Sequence, residues 1–420
     1  MSVARMCERL GVPPAVRAAA ERADAKTQNL RYEPQRTVAL QVLNAFLDLG
    51  IADSDLTGTF GYGYDDAARA TYEALLARIF GTERALARLS IVSGTHAIVA
   101  ALAACAVPGE GILAVTGRPY DTLRNSICDD ERSLVSRGRH YREIDLRGDG
   151  TIDADAIANA LEERTYAVAF VQRSRGYAPR RSISVDECAR AVEAVKRVSP
   201  STLVLVDNCY GELVEEREPT HVGADAVMGS LIKNLGGSIA PGGGYVAGSA
   251  AVVECVAARI YVPGLGDALG PTFGFGRAFV HGLFLAPSIV EQCLRGLDFA
   301  AALFEELGYS VDPKPGERRT DIVQAIRLGS SDLLMRFAAG LQAAMPLNAR
   351  FRPEPGAVPG YRDPVVMSGG AFIAGATIEL SCDAPLRPPY DVYLQGGTSV
   401  DHVRFGALSA AAFVAEKIGL

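Results

Sequence analysis

The amino-acid sequence predicts an α/β fold, with a mostly parallel sheet in a large domain and a smaller α+β domain after it. Between residues 112 and 248, short apolar strands alternate with helical segments, a pattern typical of a parallel sheet covered by helices on both faces. After residue 273 the alternation stops, and a long helical pattern leads into mixed elements. At 420 residues, 49% of them hydrophobic, the chain is long enough for two domains.

The chain begins with a predicted helical arm over residues 1–60. Apolar residues recur at helical spacing from Val38 to Leu49. The loop over 58–66 then combines three glycines with Tyr62 and Tyr64. Glycines permit the positive φ of a plain helix connection, and the same composition suits a functional loop. The sequence leaves these two readings open.

The large domain is expected over 61–272 and begins with a helix at 66–80. Its predicted strands lie at 89–92, 112–116, 141–145, 167–172, 203–207, 226–229 and 245–248, with helices at 97–106, 152–163 and 184–198. The second domain is expected over 273–420. It contains one or two bridging helices at 273–307, strands at 321–326, near 365 and at 376–380, and helices at 331–344 and within 399–418.

An acidic residue and a basic residue follow two neighbouring strands of this predicted sheet. Asp207 ends one strand, and Lys233 follows the next, 26 residues later and directly after two large apolar residues. Burying an ammonium group is costly, so such a lysine typically has a shifted pKa or a covalent partner. Pyridoxal phosphate needs a lysine for its Schiff base and an acid partner for its pyridine nitrogen. The alternative is a half-buried aspartate with a lysine that extends to solvent.

Two further positions suit the same cofactor. Ser93, Gly94 and Thr95 stand between a predicted strand and a helix, where free N–H groups and the positive helix end bind phosphate. Tyr120 follows the next strand, where its ring could stack on a flat cofactor or simply pack in the core.

Arginine is the expected partner for a substrate carboxylate, because its guanidinium forms a bidentate fork. Arg387, in the domain expected to close over substrate, ranks first. Arg173, just past a strand end, ranks second, and Arg404 is a further candidate. A solvated loop is the plain alternative for Arg173.

Composition and missing motifs exclude several classes. The net charge of −7 argues against a nucleic-acid surface, and no apolar run has the length of a membrane span. Residues 1–6 lack the apolar core of a signal peptide, so the cytoplasm is the default location. The eight cysteines are scattered, which favours neither disulfides nor a metal site. Ser230 and Lys233 also fit the S-x-x-K pattern of penicillin-recognising enzymes, but their K-T-G motif is absent.

The same segments carry a resemblance to a known family. They are Ser-Gly-Thr-His-Ala (93–97), Pro-Tyr-Asp-Thr-Leu (119–123), Gln-Arg-Ser-Arg-Gly-Tyr (172–177), Val-Asp-Asn-Cys-Tyr-Gly-Glu (206–212) and Gly-Ser-Leu-Ile-Lys-Asn (229–234). Shorter matches at 61–66, 282–287, 319–322 and 394–397 extend it over nearly the whole chain. The chain resembles the methionine gamma-lyase family, often labelled aluminium resistance protein, and through it the fold-type I pyridoxal-phosphate enzymes.

The resemblance implies a role for each matching residue. Lys233 matches the Schiff-base lysine, Asp207 the pyridinium partner and Tyr120 the stacking ring. The positions that match phosphate-binding residues are Gly94, Thr95 and Ser230, preceded by Ser93. Tyr62 and Tyr64 look like catalytic residues lent across the interface of a homodimer or homotetramer.

The implied reaction is α-deprotonation of an L-amino acid followed by γ-elimination of a thiol. A γ-halide is a second possible leaving group, and from an unsaturated substrate it would give an alkyne or allene. Two departures from the family pattern motivate this: Leu235 replaces the proline after Lys-Asn, and residues 55–60 read Asp-Leu-Thr-Gly-Thr-Phe where His-Phe-x-Gly-Thr-Thr is usual. Cysteine or cystathionine β-elimination is the alternative, and a non-catalytic pyridoxal-phosphate binder is a remote one.

Overall fold

The computed structural model describes residues 2–418, and these residues form two compact units. The large unit is Thr37–Ala286, and the small unit joins Met1–Arg36 to Pro287–Leu420. The helices are α1 Val3–Leu10, α2 Pro14–Thr27, α3 Glu33–Leu49, α4 Ala67–Phe80, α5 Gly94–Cys105, α6 Asp121–Arg124, α7 Ala154–Glu163, α8 Val185–Val198, α9 Ala250–Ile260, α10 Gly276–Glu306, α11 Ser331–Gln342 and α12 Val400–Ile418.

The large unit contains a seven-stranded sheet. Its strands are β1 Arg84–Arg88, β2 Gly111–Ala114, β3 His140–Glu143, β4 Val168–Gln172, β5 Leu203–Asp207, β6 Ala226–Ser230 and β7 Gly244–Gly248. They lie in the order β1-β7-β6-β5-β4-β2-β3. The pairs from β3 through β6 are parallel, and only β7 makes antiparallel pairs, with β6 and β1. The predicted parallel-rich α/β sheet is confirmed.

The small unit contains a separate antiparallel sheet. Its strands are β8 Ser310–Asp312, β9 Val323–Arg327, β10 Pro355–Gly356, β11 Val365–Gly369, β12 Ser381–Pro385 and β13 Asp391–Gln395. Their order is β10-β11-β12-β13-β9-β8, and every pair is antiparallel. Helices α11 and α12 pack on each other, as expected for an α+β domain.

Two predicted strands are wrong. Residues 89–92 form a turn, and the strand beside them is β1, whose arginines at both ends hide its short apolar centre in the sequence. Residues 376–380 also turn, because Glu379 N–H donates to Ala376 O. Their alternating apolar and polar residues imitate a strand, and the true strand β12 begins at Ser381.

The two units group the residues differently from the predicted domains. Helix α10 is continuous through the boundary at residues 286 and 287, so the sequence offers no break there. Helices α1 and α2 pack on α12, which places residues 1–36 with the C-terminal residues instead of in a separate arm.

Helix α5 is positioned by its small apolar residues. Ala97, Ile98 and Ala101 are fully buried in the cluster that also holds Met228 of β6 and Val246 of β7. Small side chains let the helix lie close against the sheet. This packing brings the N-terminus of α5 to the edge where the parallel strands end. Among residues 2–418, no helix is both long and apolar enough to cross a bilayer.

Candidate active site

Parallel strands place their last residues side by side at one edge of the sheet. The register pairs Gln172 of β4 with Asp207 of β5, and Asp207 with Met228 of β6. Ser230 ends β6 and leads directly into the turn that carries Lys233. Ligands of such sheets bind beyond this edge, as the sequence predicts for these positions.

Lys233 is held in a short turn between β6 and a single 3-10 turn at Asn234–Gly236. Its Nζ lies 3.9 Å from the centre of the Tyr210 ring. The Asn234 side chain donates from Nδ2 to the carbonyl oxygens of Tyr210, at 3.0 Å, and Glu212, at 2.8 Å. The lysine turn is therefore fixed to the segment that follows β5. The turn is no helix, which removes the context that the S-x-x-K reading of Ser230 and Lys233 requires.

The electrostatics of the site couple Lys233 to its acidic neighbours. Burial acts to lower the pKa of Lys233, but Cys209, Tyr210, Asp207 and Tyr120 act to raise it, and the net shift is upward. Burial raises the pKa of Asp207, while the charge of Lys233 and the N–H of Cys209 act to lower it. A buried carboxyl group in this position suits a cationic partner, because an unpaired buried charge is costly.

The start of α5 has the geometry of an anion site. Ser93 caps the helix by accepting the N–H of His96 at 3.1 Å, and the preceding N–H groups of the first turn have no partner within the helix. A Cβ on Gly94 would lie 3.0 Å from Cys209 Sγ and 3.2 Å from the backbone nitrogen of Ser230, so the missing side chain of glycine eases this close approach to β6. Thr95 Oγ1 lies 2.7 Å from the Tyr120 hydroxyl.

Tyr120 is held by its main chain as well as by its hydroxyl. Its N–H donates to Gln172 Oε1 at 2.9 Å, which ties the tyrosine to the end of β4. Burial, followed by the charge of Asp207, raises the pKa of the Tyr120 phenol well above its usual range. The ring therefore stays neutral, as stacking on a flat aromatic ligand requires.

These residues fit pyridoxal phosphate. Lys233 would bind its aldehyde carbon, Asp207 its pyridine nitrogen, and the first turn of α5 with Ser230 its phosphate. The fit rests on the close approach of Gly94 to β6 and on the electrostatic coupling of the buried Asp207 to the partly buried Lys233. Within residues 2–418 there is no group of three or more His, Cys, Asp and Glu side chains that could hold a metal ion.

Arg173 does not have the geometry expected of a substrate-binding residue. Its guanidinium is fully buried, and it donates to Asn208 Oδ1 at 2.7 Å, Gly211 O at 2.8 Å and Glu215 Oε2 at 2.6 Å. The acidic partner Glu218 lies 3.7 Å away. These bonds engage the N–H groups that a substrate carboxylate would need. Arg173 therefore anchors the segment after β5, and its geometry argues against the predicted role in substrate binding.

The other two arginine candidates belong to the small unit. Arg387 Nη1 donates to Asp363 at 3.1 Å, and its side chain is half-buried. Arg404 pairs with Asp24 at 3.0 Å and lies over the ring of Phe299. Arg404 thus joins α12 to α2, whereas the role expected of Arg387 stays a prediction.

Tyr62 and Tyr64 lie in a loop that the large unit holds firmly. We name residues Gly58–Tyr64 the aromatic loop. The Asp66 carboxylate accepts the N–H groups of Thr59 and Thr272, each at 2.8 Å. Tyr62 and Tyr64 are nevertheless 76% and 53% exposed. No contact within the described chain joins either ring to Lys233.

Three residues near the site lie in a segment that matches the family, but the sequence assigned none of them a role of its own. They follow Asp207 in what looks like a plain loop: Cys209, Tyr210 and Glu212. All three lie near Lys233, and Glu212 is fully buried with its Oε2 lacking a hydrogen-bond partner. The acidic, aromatic composition after a buried strand was the available signal.

Known proteins place this geometry in a family. The family model described as methionine gamma-lyase matches residues 15–415. The Bacillus subtilis (strain 168) protein YnbB is 42% identical over 381 residues, which cover 90% of each chain. The crystal structure of a carbon-sulfur lyase involved in aluminium resistance from Clostridium novyi NT has a TM-score of 0.92 and 39% identity, covering 97% of this chain and 98% of that one.

More distant structures agree in fold alone. The pyridoxal-5'-phosphate dependent protein YhfS from Escherichia coli is 18% identical, with a TM-score of 0.60 and coverage of 90% of this chain and 96% of that one. The fold is thus that of the fold-type I pyridoxal-phosphate enzymes. The chain belongs to the methionine gamma-lyase family, and its cofactor is pyridoxal 5'-phosphate.

Proposed function

We propose that this protein is a lyase that removes the α-proton of an L-amino acid and then eliminates a group from Cγ. The observation that carries the proposal is the set of Lys233, Asp207 and Tyr120 at the sheet edge, beside the capped start of α5; Asp207 is buried and the other two are partly buried. A protein that only binds the cofactor has no need of all three residues. Membership of the methionine gamma-lyase family supports the choice of reaction.

Each residue contributes a defined task. Bound pyridoxal phosphate supplies an electron sink for negative charge at the substrate Cα. Lys233 Nζ takes the α-proton, and the Tyr210 ring 3.9 Å away limits the directions in which the amine can point. Asp207 keeps the ring nitrogen protonated, and Tyr120 fixes the ring plane. Ser93, capping α5, keeps the phosphate-binding turn in place.

γ-Elimination requires a second proton transfer at Cβ, and we assign this transfer to Lys233 as well. Departure of the γ-group needs an acid, a role we assign to Tyr62 or Tyr64 of a second copy of the chain. Leu235, fully buried beside the lysine turn, and the changed sequence at 55–60 support a leaving group other than methanethiol. A thiol is the leaving group that family membership favours, and a γ-halide is the specialised candidate, so the protein would be a carbon–sulfur or a carbon–halide lyase.

Isotope exchange tests the position of bond cleavage. The protein is incubated in deuterated water with methionine, cystathionine, cysteine and γ-chloro amino acids, and the recovered substrate is analysed. Deuterium at both Cα and Cβ is expected for γ-elimination. Deuterium at Cα alone, with formation of pyruvate, would replace the proposal by β-elimination.

β-Elimination is the second candidate. A relative of known structure from Clostridium acetobutylicum, 39% identical with a TM-score of 0.93 and covering 97% of each chain, is provisionally described as a cystathionine beta-lyase involved in aluminium resistance. The same Lys233 and Asp207 would serve this shorter reaction, which needs no proton transfer at Cβ.

Shared sites in a homodimer or homotetramer are part of the proposal. The exposed aromatic rings of a loop held by Asp66 are typical of a protein interface. Two inactive variants, Lys233→Ala and the double variant Tyr62→Phe with Tyr64→Phe, are mixed and allowed to exchange subunits. Half of randomly formed dimers are mixed and hold one intact site, so about a quarter of wild-type activity should return. No recovery after proven exchange would place both tyrosines in their own chain's site.

Arg387 remains our candidate for the substrate carboxylate, because Arg173 is engaged in buried bonds. Arg387→Lys should raise KM strongly, since lysine cannot form the bidentate fork. Arg404→Lys is the control, and an equal small effect of both changes would reject the assignment.

A further inference from the structure

Glu212 is a buried acid that the mechanism above does not use. It follows β5 by five residues, and its side chain is fully buried. The Tyr245 hydroxyl of β7 donates to Glu212 Oε1 at 3.0 Å. A Cβ on Gly229 of β6 would lie 2.8 Å from the same oxygen, so the carboxyl group lies directly against the strand that leads to Lys233.

The second oxygen of this carboxyl group has no hydrogen-bond partner among the described residues. The buried hydroxyl of Tyr72 on α4 also has none. A buried carboxylate with one unsatisfied oxygen is costly, whereas a protonated acid carries no net charge. The geometry therefore favours the neutral form of Glu212 at neutral pH. Burial, the first cause, raises its pKa to about 8.

Glu212 is linked to Lys233 in two ways. Its main-chain carbonyl accepts the Asn234 side chain at 2.8 Å, and Asn234 is the residue directly after the lysine. The charge of Lys233 also acts on the carboxyl group itself. The titratable and charged groups that act on Glu212 or respond to it are Tyr245 of β7, Tyr72 of α4, Lys233 of the lysine turn, and Cys209 and Glu218 of the segment after β5.

We propose that Glu212 is a positioning residue of the site: it forms the wall behind Lys233 as a neutral acid held by Tyr245, and its ionisation at alkaline pH makes Lys233 retain its proton. The inference rests on the proposed role of Lys233. Two neighbouring sites are coupled when the ionisation of one changes the charge that the other experiences. The carboxyl group would thus set the pH at which the lysine becomes a usable base.

Two titrations of the holoenzyme test the inference. Infrared difference spectra follow the C=O band of the protonated carboxyl group, and visible absorbance follows the protonation of the nitrogen that joins Lys233 to the cofactor. In the wild type the infrared band should disappear as the pH rises through about 8. In Glu212→Gln that band should be missing throughout, and the midpoint of the absorbance titration should fall by about one pH unit.

Tyr245→Phe provides a second, milder variant. Phenylalanine keeps the ring that stacks on Phe80 at 5.4 Å but removes the hydroxyl bound to Glu212. Because that hydrogen bond lowers the pKa of Glu212, the infrared transition should move to higher pH. A residue with only a packing role would leave this transition unmoved. Glu379→Gln, a buried acid of the small unit, is the matched control and should titrate as the wild type does.

Two results would overturn the inference. One is the absence of the Glu212 band from the wild type at pH 7, and the other is an unchanged absorbance midpoint in both Glu212→Gln and Tyr245→Phe. If Glu212→Gln does not fold, Tyr245→Phe alone decides. Lack of visible absorbance in the wild type at every pH would instead refute the role of Lys233, and the infrared titration would still report on Glu212.

Discussion

Two loops of the large unit show opposite ways of building a functional surface. The segment Asp207–Glu212, which we name the inner segment, is buried except for the partly buried Tyr210, and it is bonded to its own chain through Arg173 and Asn234. The aromatic loop is fixed at its base by Asp66, yet it turns its rings to solvent. The inner segment is complete within one chain, whereas the aromatic loop has the properties of a surface that a second copy covers. Substitutions in these two segments should therefore impair the protein in different ways.

The largest effect is expected at the inner segment's partner, Lys233. Lys233→Ala should remove the visible absorbance of the covalently bound cofactor and lower kcat by roughly 10⁴-fold, the upper end of what a positioned base contributes. Absorbance and steady-state kinetics measure both losses. The control is Lys314→Ala, an exposed lysine of the small unit paired with Glu305. An unchanged absorbance band in Lys233→Ala would refute the assignment.

The next effect concerns the buried ion pair beneath the inner segment. Arg173→Leu should lower the free energy of unfolding by about 3–5 kcal/mol, because the buried Glu215 loses the guanidinium that faces it. Denaturant titration measures the change. Arg132→Leu is the control, since its pair with Glu131 is exposed and should be worth at most about 1 kcal/mol. Equal effects of the two changes would mean that the buried ion pair of Arg173 contributes no more to the free energy of unfolding than an exposed pair does.

Substitutions in the aromatic loop should change the assembly of subunits, and not the stability of each chain. Changing both Tyr62 and Tyr64 to serine should alter the unfolding free energy of each chain by only about 0.5 kcal/mol, as for exposed positions generally. The particle mass of this variant should, however, fall on dilution as the subunits separate. Denaturant titration measures the unfolding free energy, and light scattering across a concentration series measures the mass. A particle of constant mass would show that the loop lies outside any interface.

The smallest expected effect is a change in the free energy of unfolding with pH. The pKa of Glu212 is raised from 4.5 to about 8 in the folded protein, so its protonation stabilises the fold fully below pH 4.5. This contribution is lost progressively as the pH rises to about 8, and it stays constant above that pH. Glu212→Gln lacks the titration, so the wild type should lose stability relative to the variant across this window. Thermal unfolding at several pH values checks the slope, and parallel curves would contradict the raised pKa.

The contrast also explains what the sequence could predict. The positions of Asp207, Ser230 and Ser93 at the ends of their elements could be predicted because each stands where an apolar run ends, a local signal. Arg173 was misread because its partners Asn208 and Glu215 lie 35 and 42 residues further on, and no local pattern shows that they enclose it.

The places of Tyr210 and Glu212 in the inner segment were missed for a related reason. Tyr210 has a φ of 71°, a left-handed backbone that tertiary contacts impose on a non-glycine residue. Its ring faces Lys233 only because of that turn, and Glu212 is buried only because Tyr245 and Gly229 receive it. In β1, arginines at both ends concealed a strand that the neighbouring β7 stabilises.

The small unit combines the N-terminal and C-terminal parts of the chain, and this has a consequence for folding during synthesis on the ribosome. Helices α1 and α2 pack on α12, whose first residue is Val400, while the whole of the large unit is translated between them. Translation proceeds at about 5–20 residues per second, so α12 is synthesised on the order of half a minute after the first 36 residues. We expect a nascent chain halted shortly after Ala286 to be cleaved by protease within residues 1–36 and protected in the large unit's sheet. The order in which the protein acquires its structure would then differ from the order of its sequence.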